Sequence, residues 1–76
     1  TVIRYDLPKE ARVKILIYDM LGRLVTTLAD GRYNAGFKEV HWDATNSFGK
    51  KVSAGLYIYS IQAGEFRQTK KMILLK

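Results

Sequence analysis

Apolar and polar residues alternate with a period of two along most of the chain, the pattern of strands that bury one face. Ile3, Tyr5 and Leu7 alternate with Arg4 and Asp6. Pro8, which has no N–H to give to a ladder, ends this first predicted strand. In the second, Val13, Ile15 and Ile17 share a face, while the other face begins with Arg12 and Lys14 and turns apolar at Leu16 and Tyr18. Asp19-Met20-Leu21-Gly22 reads as a type I turn, with the Asp carboxylate free to accept from the following backbone and Gly supplying a positive φ. The returning strand is predicted over Arg23 to Leu28, followed by a loop bracketed by Asp30-Gly31 and Asn34-Ala35-Gly36. Val40 and Trp42 then point one way and Glu39 and His41 the other. A polar stretch from Asp43 to Lys51 carries the turn Asn46-Ser47-Phe48-Gly49, and Ser53-Ala54-Gly55 leads into the most apolar strand, Leu56 to Ile61. That strand is apolar on both faces, which suits a central position. Ala63-Gly64 makes a hairpin, and Phe66 to Leu75 is the closing strand.

No segment has the periodicity of an amphipathic helix. The expectation is an all-β, immunoglobulin-like two-sheet antiparallel sandwich of about seven strands. Its core is predicted to contain Ile15, Ile17, Val40, Trp42, Ile58 and at least one of Tyr57 and Tyr59. A chain of 76 residues has room for one core only, so residues 1–76 are read as a single domain. With 47% hydrophobic and 12% aromatic residues, it has material for that core and does not resemble a disordered segment. Cysteine is absent, so packing and strand pairing must supply the stability. Apolar runs such as Ile15 to Tyr18 and Met72 to Leu75 fall far short of the ~20 residues a membrane-spanning helix needs. The start at Thr1 rather than Met suggests a processed product or an excised piece.

The formal charge of +6 is spread over the length, with Lys50-Lys51 and Arg67, Lys70 and Lys71 as local concentrations. Such charge suits anionic partners, and it also suits solvated faces and lysines that guard a sheet edge. Catalytic chemistry has little to draw on. His41 is the single histidine, and the carboxylates fall mostly in or beside turns, where Asp serves the backbone. No catalytic, cofactor or metal residue is therefore assigned. Asp43, Asn46 and Ser47 offer one carboxylate where a calcium loop needs several, and read as an Asx turn. The glycines form no phosphate-binding motif. Tyr57, Tyr59 and Phe66 are read as core, so no nucleic acid is expected as a partner.

Two stretches carry a resemblance. IRYDLPKEARVKILIYDMLGRLVTTL, with its strand before Pro, its Tyr-Asp ending and its Gly-Arg turn, resembles the opening of type A C-terminal sorting domains of the type IX secretion system. AGFKEVHWDATNSFGKKVSAGLYIYSIQAGEFRQTKKMILLK, with Trp-Asp, a small-Gly-aromatic strand and a final Lys-Met-aliphatic run, resembles their second half. The Asn-Pro lead-in common in that family is missing before Thr1. The same Tyr-Asp, Gly and Trp-Asp features are similar to the Ig-like domain of the flagellar hook-capping protein.

The sorting resemblance implies a secretion signal joined to an N-terminal cargo domain and recognised by the type IX translocon and its sortase-like outer-membrane components. It also implies anionic lipopolysaccharide as a possible further partner. The destination implied is secretion or the cell surface, by way of the periplasm and the outer membrane. The hook-capping resemblance implies a structural module, and an accessory binding module of a secreted enzyme is a further alternative. The element expected to be recognised is the terminal strand of Lys70, Lys71, Met72, Ile73, Leu74, Leu75 and Lys76, because it closes the sheet and carries positive charge.

Overall fold

A computed structural model describes residues 1–75 of the chain. Six strands follow one another: β1 (Val2–Leu7), β2 (Ala11–Tyr18), β3 (Leu24–Tyr33), β4 (Gly36–His41), β5 (Gly55–Ala63) and β6 (Phe66–Leu74). β1 and β4 form a two-stranded sheet, and the other four form a sheet of order β3-β2-β5-β6, with every pairing antiparallel. The all-β, immunoglobulin-like two-sheet sandwich expected from the alternation is what the chain adopts. The count is six described strands. Between β4 and β5 the chain makes a polar turn closed by the single bridge Thr45↔Lys51, too short to extend either sheet.

Register explains the core. Val13, Ile15 and Ile17 of β2 stand opposite Ala63, Ile61 and Tyr59 of β5, so these residues share the inward face. Ile3 and Leu7 of β1, Ala29 of β3, Tyr57 and Ile61 of β5, Leu74 of β6 and Trp42 complete the buried cluster. The Trp42 ring meets Tyr57 edge-on, with centroids 5.2 Å apart, and its Nε1 donates to the Thr45 carbonyl at 2.9 Å. Burying the ring therefore leaves no orphaned donor.

Two expected core residues sit differently. Ile58 is half-buried because it stands opposite Tyr18 and Lys71, on the outward face, while Tyr57, Tyr59 and Ile61 take the inward one. Val40, opposite Ile3 on the small sheet, is also half-buried. β3 is longer than its apolar pattern indicated. It absorbs Asp30 and Gly31 and runs to Tyr33, with two register shifts against β2, between Ile15 and Leu16 and between Ile17 and Tyr18. Such bulges allow a strand to continue where strict alternation fails.

Candidate functional site

The turns were the most chemically suggestive part of the sequence, and their polar groups are engaged in holding the backbone. Asp19 Oδ1 accepts from the N–H groups of Leu21 and Arg23, at 2.9 Å each, and its Oδ2 accepts from Arg23 Nε at 2.9 Å. Gly22, at φ +84°, donates to the Asp19 carbonyl at 3.0 Å and closes the turn. Backbone donation from Arg23 is the main cause that holds the Asp19 carboxyl below the usual carboxylate range. Asp43 Oδ1 accepts from both the hydroxyl and the N–H of Thr45, and the hydroxyl contact lowers its pKa most. Asn46 Oδ1 accepts from Phe48 N–H at 2.9 Å and Lys50 N–H at 3.0 Å. Asp43 and Asn46 thus form successive Asx-type turns, as the sequence indicated. His41 is exposed, with Nε2 3.5 Å from Glu39. Burial raises the Tyr5 hydroxyl pKa first, and the Tyr33 hydroxyl beside it raises it further.

A cleft of about 900 Å³ opens between the sheets at the β5–β6 hairpin end, floored by Leu7, Ala11 and Phe66 and rimmed by Arg12, Arg32 and Glu65. Its charges do not converge: Arg12 is paired with Asp30 at 2.8 Å and Arg32 reaches Glu10 at 4.0 Å.

β6 has a different character. It pairs with β5 over nine positions without a shift, and it is the outer member of the four-stranded sheet. Its far edge faces no other strand among the described residues. Register sorts the expected recognition residues by face. Lys70 and Met72 stand opposite Tyr59 and Tyr57 on the inward side, Lys70 exposed and Met72 half-buried. Lys71 and Ile73 stand opposite Ile58 and Leu56 on the outward side, and Ile73 is 64% exposed. Leu74 is buried in the core, and Leu75, just past the strand, is 82% exposed. Lys76 lies outside the described residues. The expected stretch is therefore a composite: Leu74 and part of Met72 serve the fold, while Lys70, Lys71, Ile73 and Leu75 are displayed.

Arg67, which the sequence grouped with Lys70 and Lys71 by charge but not within the recognised stretch, joins this surface because it shares the outward face with Lys71. Sequence reasoning missed the outward face of the large sheet as a whole. Rows across that face run from cationic at the hairpin end, through Arg32 and Arg12, to apolar at the other, where Leu24, Tyr18 and Ile58 adjoin Leu56 and Ile73. The apolar second face of β2 beyond Lys14 was the available signal.

A two-sheet Ig-like sandwich with engaged turns and a displayed edge strand defines a small β-sandwich module. The family model of the FlgD Ig-like domain matches residues 1–65, and the chain belongs to that family. No curated protein and no solved structure gives a significant match.

Proposed function

We propose that this chain is a non-catalytic Ig-like module of the flagellar hook-capping type, a structural part that holds partners through its surface. One observation carries the reading: the family match runs from β1 through the β5–β6 hairpin, over most of a sandwich whose architecture agrees with it. The chemistry of the surface agrees too. Asp19 and Asp43 are committed to backbone donors, and among the described residues the one ion-pair neighbour of the exposed His41 is Glu39. The docking element in this reading is β6, through Lys70, Lys71 and the apolar residues that follow. Deleting the coding segment for this domain from its gene in the source bacterium should leave hooks absent or malformed by electron microscopy, with rescue by the intact gene. Normal hooks would refute the hook-capping role.

A second reading rests on the resemblance of the sequence to type IX sorting domains. Residues 66–76, which hold the displayed strand and its Lys-Met-Ile-Leu-Leu-Lys run, lie beyond the matched part. In that reading the domain is a C-terminal secretion signal, recognised by type IX translocon components, that carries an N-terminal cargo to the cell surface. A fusion to an inert, signal-peptide-bearing reporter in a type IX-competent cell separates the two. Export that requires the domain supports the signal, and a folded fusion retained in the periplasm removes it.

A further inference from the structure

We infer that the open edge of β6 takes an extended acidic segment of a partner protein as an additional strand, with a paired acidic centre and an apolar end. The inference deepens the binding role proposed above and rests on it. Edge strands expose unpaired N–H and C=O groups that template another strand, and the side chains of the edge select which one. Here the edge is long and regular, nine residues in unbroken register with β5.

Its side chains specify the occupant by charge. Lys70 projects on the inward side and Lys71 on the outward side, so a strand that satisfies both needs two consecutive carboxylates, one for each face. Arg67 stands four positions before Lys71 on the outward face and calls for a third carboxylate at matching spacing. None of these three cations is in an ion pair among the described residues. Beyond the lysines the edge becomes apolar, with Ile73 64% exposed and Leu75 82% exposed, and the entering strand should be apolar there as well.

The same charges disfavour a second copy as the occupant. Antiparallel pairing of two β6 strands about their centre would set Lys70 opposite Lys70, or Lys70 opposite Lys71, and like charges directly opposite destabilise a pair. An acidic strand meets no such conflict.

The probe is a seven-residue peptide complementary to Arg67 through Ile73 in antiparallel register, acetyl-Leu-Val-Glu-Glu-Thr-Val-Glu-amide. It is titrated into the labelled domain to millimolar concentration and followed by amide chemical shifts. The expected result is a saturating shift concentrated on β6 and the adjoining β5 amides. Replacing the central Glu-Glu of the peptide by Lys-Lys should weaken binding about tenfold, as two cross-strand charge pairs imply. The doubly substituted domain, Lys70→Glu with Lys71→Glu, should reverse the preference and take the Lys-Lys peptide. That swap also controls for folding, because a misfolded variant would bind neither. Absence of binding to millimolar concentration, shifts centred on Leu16, Tyr18 and Ile58 of the outward face, or equal affinity for both peptides would overturn the inference. Dimerisation of the free domain with β6 protected would overturn it too. Failure here leaves hook assembly in the deletion experiment untouched, so the two proposals fall separately.

Discussion

The two outer strands of the large sheet, β3 and β6, occupy equivalent positions and are finished in opposite ways. β3 carries two bulges against β2, and its Val25 carbonyl accepts from Ser47 N–H at 3.0 Å, so the polar loop after Trp42 is tied to its edge. Its Asp30 is paired with Arg12, and Arg32 reaches across to Glu10. β6 has no bulge, no loop bonded along its edge among the described residues, and cations without ion-pair partners. Natural sheets commonly blunt their edges by bulges, cover or lysines. This domain uses the first two on β3 and leaves β6 to its lysines alone, which guard against unselected pairing while favouring acidic strands. An edge that repels its own kind and stays otherwise open is the better place to look for a partner.

Removing what supports both edges should produce the largest effect. Trp42→Ala should cost about 3–5 kcal/mol, the usual range for a large buried aromatic, and be read in denaturant unfolding. Because small domains have only about 5–15 kcal/mol in all, the variant should be partly or wholly unfolded on heating to modest temperature. A cost below about 1 kcal/mol would mean that Trp42, 3% exposed, does not anchor the loop that covers β3.

Opening the finished edge comes next. Ser47 occupies the second position of the turn closed by Gly49 N–H on the Asn46 carbonyl, a position that tolerates proline. Ser47→Pro should keep the turn, delete the donor to Val25 and cost about 0.5–1.5 kcal/mol. Hydrogen exchange along β3 should quicken while β6 is unchanged. Equal changes on the two strands would erase the contrast between them.

Acid should loosen the same side. The folded-state pKa of Asp19 and of Asp43 is lowered, so each contributes stability that is complete above the unfolded value of about 3.9 and is lost as pH falls through the folded value. Melting followed from pH 7 down to pH 2 should decline below about pH 4, and Asp19→Asn should flatten that decline. An unchanged profile in the variant would show that the Asp19 turn does not couple to folding.

The smallest effect on stability belongs to the lysines. Lys70→Gln with Lys71→Gln should shift stability by no more than about 0.5 kcal/mol, since both side chains are exposed and unpaired. The variant should nonetheless self-associate more readily in light scattering, because the charges that oppose edge-to-edge pairing are gone. Loss of stability without self-association would mean that the lysines serve the fold and not the edge.

Much of the fold was legible because alternation states which residues share a face. β1, β2, β5 and β6 followed from it, as did the Asp19–Gly22 and Asn46–Gly49 turns, whose side-chain acceptors are local. β3 was read too short because Asp30 and Gly31 look like a turn in sequence, whereas pairing with β2 holds them extended. Trp42 was placed in a strand; it lies just beyond β4, yet its ring still enters the core through Tyr57. Ile58 is expected in the core because a strand apolar on both faces reads as covered on both, whereas its outward face is only half-covered. The candidate site was half legible. The charge and apolarity of Lys70 to Leu75 can be read directly, but that β6 is an outer strand depends on the order β3-β2-β5-β6, which long-range pairing decides.

Residue-resolved amide hydrogen exchange on the free domain tests the contrast between the edges most directly. The account predicts that alternate amides of β6 exchange near the unprotected rate while their neighbours, bonded to β5, are protected, and that the Ser47 amide, which donates to the Val25 carbonyl on the edge of β3, is slowed as well. Uniform protection along β6 at dilute concentration would contradict it, because that edge would then be covered already and could not receive a partner strand.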